Sequence, residues 1–196
     1  MTGRERSTRG KIGAAFFAFV MVTSMVAVGI GGFAGTAAAA TEGSVSSASS
    51  GPTVVGPGNG DVVLQEISVS DSGNSDGSAI EIDSFTVKNT AGTAGDADVD
   101  SIQIFQEDGT TSGFQAGEDS RVDTQSVTGF GVTINNNDGD TSDPIVTVPD
   151  GGSATFYVVV NIASGATDGN TLKLDTDITT TDDSGSTFDA TAADTD

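Results

Sequence analysis

The 196-residue chain has no cysteine, no histidine and no tryptophan, and only one tyrosine. Without cysteine, disulfides cannot hold it together outside a cell. Without cysteine and histidine, the common zinc sites are excluded, as are thiol nucleophiles and Ser-His-Asp arrangements. Basic residues are nearly as scarce, with 7 Lys and Arg against 28 Asp and Glu and a net charge of −21. Four of those seven (Arg4, Arg6, Arg9 and Lys11) stand before residue 12, leaving Lys88, Arg121 and Lys173 for the rest. No basic patch can form from three scattered cations, which argues against nucleic-acid and anionic-lipid partners.

What is present begins with the N-terminus. The basic residues lead into an uncharged run, Ile12 to Phe33, and then into Gly35-Thr36-Ala37-Ala38-Ala39-Ala40. A basic start, an apolar middle and small residues before a polar stretch describe a secretory signal peptide over residues 1–40, an N-terminal signal helix. Ala38 and Ala40 satisfy the small-x-small pattern, so cleavage is expected after Ala40. The same run is long enough to span a bilayer if it is retained. On the cleavage reading, the membrane is met only through this segment before it is removed.

Val20-Met21-Val22-Thr23-Ser24-Met25 followed by Phe33-Ala34-Gly35-Thr36-Ala37-Ala38-Ala39 resembles the signal peptide of haloarchaeal surface-layer glycoproteins. The resemblance covers about the first forty residues and implies a secreted, cell-surface protein of a salt-loving archaeon. Arg9-Gly10-Lys11-Ile12-Gly13-Ala14 resembles an archaellin start. That alternative implies a pilin- or archaellin-like subunit with a retained helix, and leaves the alanine tract without a role. Charge agrees with the saline address. After Ala40 the chain carries a net charge of about −24, whose self-repulsion opposes compaction in dilute buffer. Screening to a Debye length of about 3 Å at 1 M salt removes most of it.

Residues 41–60 are rich in Ser and Gly with Pro52 and Pro57, the composition of a flexible or extended leader. From Asp61 the pattern changes to short β-branched runs between Gly, Asp, Asn and Ser clusters. Strands are expected over 62–70, 79–89, 101–106, 120–127, 131–135, 144–148, 154–163 and 171–179. Residues 61–181 thus form a β-sandwich domain, and 182–196 an acidic tail or a weak last strand around Phe188. The alternation of Ile80, Ile82, Phe85 and Val87 slips at Asp83-Ser84, which predicts a β-bulge. Phe156-Tyr157-Val158-Val159-Val160 is apolar on both faces, as a central strand would be. Pro149-Asp150-Gly151-Gly152 and Thr167-Asp168-Gly169-Asn170 read as tight turns. No segment after residue 41 sustains a helical period, so the class is all-β.

The order Glu81–Val87, Ala97–Phe105, Val148–Phe156 and Ala166–Leu172 resembles Ig-like repeat domains of prokaryotic surface and adhesion proteins. The resemblance covers most of residues 62–179 and implies a single Ig-like or jelly-roll-like β-sandwich used as a spacer, a filament subunit or a piece of a larger envelope protein.

Calcium is the one ligand with motif support. Ser72, Asn74 and Asp76 with Asp83 approach the spacing of an oxygen-ligand loop, although Ser72 replaces the first Asp and Asp83 replaces a bidentate Glu. Asp138 and Asp140, with Asp143 nearby, form the second candidate. Related surface domains carry a calcium loop where Glu107 to Asp119 stands, but Thr110, Thr111 and Ser112 dilute its ligands here. Asp96, Asp98 and Asp100 would share one strand face and repel, unless they form a solvated acidic edge or wrap a cation.

Catalysis is not expected. A carboxylate pair of the glycosidase type is the one chemistry left, and nearly all Asp and Glu fall in turns or on polar strand faces, where nothing tunes them. Phe114 and Phe130, in or beside Gly-rich loops, are the aromatic candidates for sugar contact, with core or anchoring roles as the alternative. No N-x-[ST] sequon occurs. Thr171 to Asp196 contains no apolar anchor, which suggests release, retention by partners, or a chain cut short relative to a longer parent. The expected function is a non-enzymatic structural or interaction protein associated with the surface layer or a surface filament. Its expected partners are envelope proteins, or further copies joined by strand addition through Val54-Val55. The alternative is a calcium-dependent or carbohydrate-binding surface module.

Overall fold

The computed structural model describes residues 43–52, 54–71, 77–135, 143–182 and 187–193. The expected signal helix over residues 1–40 lies outside them. Among the described residues ten strands follow in order: β1 Ser44–Ser49, β2 Val62–Ser70, β3 Ile80–Asn89, β4 Val99–Gln106, β5 Ser120–Ser126, β6 Val132–Asn135, β7 Val146–Val148, β8 Ser153–Ile162, β9 Leu174–Asp182 and β10 Thr187–Ala193. One 3₁₀ turn, Asp96–Asp98, is the only helical element among the described residues.

Two antiparallel sheets result, one ordered β1-β2-β8-β4-β5 and the other β10-β9-β3-β6, with β7 also pairing with β3. They pack face to face as an all-β sandwich. Phe85 of β3 meets Phe156 of β8 across the core, with ring centroids 5.2 Å apart. Both rings are fully buried, and burying each side chain contributes about 2–3 kcal/mol.

β8 is the middle strand of its sheet, between β2 and β4. Its doubly apolar sequence has two destinations. Phe156, Val158 and Val160 enter the core between the sheets. Tyr157 and Val159 face the other way and form a second cluster with Phe105, roofed in part by Phe114.

The alternation along β3 slips as its sequence predicts, with a register shift between Ile82 and Ser84 against β9. A second shift, between Val63 and Gln65 of β2 against β8, has a larger consequence. It reverses the inward parity after Val62, so Gln65, Ile67 and Val69 are buried while Leu64 is only half-buried. The turns also follow their sequence. Gly152 N–H donates to Pro149 O at 2.8 Å, with Gly151 at φ 66°, a backbone region that only glycine enters at low cost.

Part of the leader is extended. Ser44–Ser49 is a strand paired antiparallel with β2, from Ser44↔Ser70 to Ser49↔Gln65. Its small side chains offer little to bury, but its backbone satisfies the outer edge of β2, whose N–H and C=O groups would otherwise need water. Val45 and Val55 pack against the core, whereas Val54 is 84% exposed and outside any strand. At the other end, β10 pairs with β9 over Thr187–Ala193, inside the span read as an acidic tail or weak strand. β9 itself begins at Leu174 rather than Thr171, because Thr171 and Lys173 are held in loop bonds to Ala94 and Thr90.

Candidate functional site

The acidic side chains decide what this surface can do. Of the six residues singled out as calcium ligands, Ser72, Asn74, Asp76, Asp138 and Asp140 lie outside the described residues. Asp83 is described. It lies half-buried in the β3 bulge, and its Oδ2 accepts a 2.8 Å hydrogen bond from Thr181 Oγ1 of β9. Among the described residues no three carboxylates converge on a point that could hold a metal.

The Asp96-Asp98-Asp100 series does not share a face. The 3₁₀ turn rotates the chain so that Asp96 and Asp100 are exposed and Asp98 is buried. Asp98 then gathers donors from two loops. Thr167 N–H donates to its Oδ1 at 2.6 Å, and Gly95 N–H and Asn170 Nδ2 to its Oδ2 at 2.8 and 2.9 Å. The Thr167 bond first, then those of Gly95 and Asn170, hold its carboxyl below the ordinary 3.8. Such bonding favours the charged form over the cost of burial. Gly95 with Asp98 three residues on makes the carboxylate half of a capping box, the Asp98 side chain accepting the Gly95 N–H. That i, i+3 spacing is the local signal in the sequence for this tie.

Beside Asp98 lies a cleft of about 430 Å³, walled by Val55, Leu64, Ile162, Ala166 and Leu172. Its two acids differ in environment, Asp98 being committed to its three donors and Asp168 open to solvent.

The second acidic centre is the loop from Glu107 to Asp119, between β4 and β5. Glu107 Oε2 accepts the Tyr157 hydroxyl and, at 3.0 Å, Gly113 N–H. Asp108 accepts Ser120 N–H at 2.9 Å and Ser120 Oγ at 2.6 Å. Asp119 Oδ2 accepts Gln115 N–H at 2.6 Å, while Gln115 O accepts the N–H groups of Glu118 and Asp119. Phe114, carried by this loop, packs edge-on against Phe105 at 5.1 Å and Tyr157 at 5.6 Å. The loop therefore knits itself with carboxylates and lays an aromatic lid on the outer face of β8. Burial first, then the bond to Glu107 and the charges of Glu107, Glu66 and Asp119, push the Tyr157 phenol well above its ordinary 10.

Phe114 is thus a half-buried anchor rather than an open sugar platform, and Phe130 is half-buried against the main core. Lys88 pairs with Asp177 across β3 and β9. That bond, ahead of Thr191 Oγ1 at 2.9 Å, lowers the Asp177 carboxyl.

Fold and acidic centres together define an all-β sandwich whose buried carboxylates bind its own loops. No protein-family model matches the chain, and no curated protein matches it.

Proposed function

We propose that this chain is a non-enzymatic structural or interaction protein of the envelope of a halophilic archaeon, exported by its N-terminal segment and associated with the surface layer or a surface filament. The observation that carries the structural reading is the use of Asp71, Asp98, Glu107, Asp108 and Asp119. Each accepts a backbone N–H, four of them from loops and Asp108 from Ser120 at the start of β5, so these carboxylates serve as ties rather than as a paired acid and base. The export and salt readings draw support from the basic start, apolar run and alanine tract, and from the acidity of everything after them. The two antiparallel sheets support an Ig-like or jelly-roll-like sandwich.

Assembly through strand exchange draws support from β1, an edge strand of small residues joined to β2 by residues 50–61. The exchanged element would be Ser44–Ser49, since Val54 and Val55 belong to no strand. N-terminal sequencing of the protein recovered from a haloarchaeal host, together with fractionation, tests the address. A start at Thr41 in the envelope or medium is expected. Retention in the cytoplasm sinks the reading, and a start near Gly13 moves the chain to the pilin class. Cryo-electron microscopy in molar salt tests assembly, and dispersed monomers alone would remove the filament.

A further inference from the structure

Asn59-Gly60 is the one Asn-Gly pair in the chain, and it lies in the connection from β1 to β2. A turn over Pro57-Gly58 precedes it, with Asn59 N–H donating to Gly56 O at 3.2 Å and Gly58 at φ 78°. Two bonds fasten this turn to the end of β8. Gly58 N–H donates to Ala163 O at 3.1 Å, and Ile162 N–H to Asn59 O at 2.8 Å. Asp61 follows at φ 52°, the one non-glycine residue with positive φ among those described, so the connection already carries strain.

The asparagine side chains are held very differently. Asn89 Oδ1 accepts the N–H groups of Gly92 and Lys173, and its Nδ2 reaches Ala94 O. Asn161 accepts Asp61 N–H and donates to Ser101 Oγ, and Asn170 donates to Asp98. Asn59 is exposed, and its amide makes no hydrogen bond among the described residues. It can turn onto the next peptide, whose N–H is likewise unbonded there. That peptide belongs to an exposed glycine, with no side chain to cover the nitrogen.

We infer that Asn59-Gly60 is a self-modification site, where the chain converts its own amide to an acid and lengthens its backbone. The Gly60 nitrogen gives its proton to water and attacks Asn59 Cγ. The N–Cγ bond forms, the Cγ–Nδ2 bond breaks, and the side-chain nitrogen takes up a proton and leaves as ammonia. Water then opens the resulting succinimide at one of its two carbonyl carbons. Opening at Cγ leaves aspartate at 59, while opening at the main-chain carbon routes the chain through Cβ and Cγ as isoaspartate. Nothing is oxidised or reduced. Isoaspartate also takes the Asn59 carbonyl out of the main chain, and with it the acceptor that Ile162 N–H uses. Conversion therefore loosens the connection that carries β1 onto the edge of β2. The inference is independent of export and assembly, because it concerns the purified chain.

Peptide mapping by mass spectrometry tests it, on the full chain aged in molar potassium chloride at mildly alkaline and mildly acidic pH. The change from amide to acid should appear at Asn59, faster in alkali because the attacking nitrogen must lose its proton. Asn89, Asn161 and Asn170 should stay unchanged while the chain is folded. Gly60→Ala and Asn59→Gln should each slow the change about tenfold or more, a rise of about 1.4 kcal/mol or more in the barrier. Alanine at 60 would stand 3.3 Å from Asn161 Oδ1, so Asn59→Gln carries the test if that variant fails to fold. Asn59→Asp has the new charge without the extra backbone carbon, and should melt like the fresh chain in molar salt. The purified isoaspartate form should melt lower and be cut sooner by thermolysin at Val54, which is 84% exposed. An unaltered Asn59 after alkaline ageing would overturn the site. An isoaspartate form as stable and as resistant as Asn59→Asp would overturn the loosening.

Discussion

Gln65 of β2 and Thr176 of β9 meet across the interior of the sandwich, the Thr176 hydroxyl donating to Gln65 Oε1 at 2.7 Å. Gln65 Nε2 continues to Ala192 O of β10 at 2.6 Å. Gln65 is 1% exposed and Thr176 fully buried, so one amide ties the first sheet to two strands of the second. Apolar contacts between sheets slide at little cost, whereas a satisfied buried polar pair has one geometry.

Gln65→Leu should therefore destabilise by about 2–3 kcal/mol, because it leaves a buried hydroxyl and a buried carbonyl unmet. Thr176→Val should cost about 1–2 kcal/mol. The double variant should lose less than the sum by roughly 1 kcal/mol, since the shared bond is counted twice in the singles. Denaturant unfolding at constant molar salt measures all three.

Asp98 makes stability fall in acid. Its carboxyl is held below 3.8, the value it regains on unfolding. Its contribution is therefore fully present above that value and is lost as pH falls through the depressed native one. Asp98→Asn should be less stable at neutral pH, with the 95–98 turn and the 163–170 loop loosened first. It should also show a flatter decline of melting temperature below about pH 4 than the parent.

Tyr157 behaves oppositely in alkali. Its phenol titrates above its ordinary 10 in the folded chain, so unfolded chains lose their proton first and stability falls as pH rises past 10. With one tyrosine in the chain, ultraviolet absorbance should show no phenolate until alkaline unfolding, and both signals should then move together. Tyr157→Phe should cost about 1.5–3 kcal/mol at neutral pH, because its partner Glu107 is a charged acceptor.

The Lys88–Asp177 pair should matter little. Both side chains are well exposed, at 46% and 38%, and exposed pairs contribute about 0–1 kcal/mol. Lys88→Met should change stability by less than about 1 kcal/mol in dilute salt, and by still less in molar salt, where screening is nearly complete. A larger loss in a salt series would contradict this.

Several strands were legible because their signal is local. β2 was expected at its observed ends, and the slip at Asp83-Ser84 was visible in the spacing of Ile82 and Phe85. β8 announced its central place through apolar residues on both faces. β1 was not legible, because a Ser-rich segment has no pattern of its own and becomes a strand only where β2 offers an unpaired edge. Gln65 escaped notice for a similar reason. Plain alternation from Val62 turns it outward, and only the pairing with β8 creates the bulge that turns it inward. The acids escaped because in so acidic a chain every loop has carboxylates, and spacing cannot say which of them find backbone donors.

Sequence alone determined the β-class, the turns and the absence of thiol, imidazole and disulfide chemistry. These follow from residue type and from neighbours a few positions apart. The tertiary structure decided that Ser44–Ser49 closes a sheet edge, that Gln65 joins the two sheets, and that Asp98 is a buried tie. Each depends on partners tens of residues away, whose approach is set by packing around Phe85 and Phe156 rather than by any local pattern.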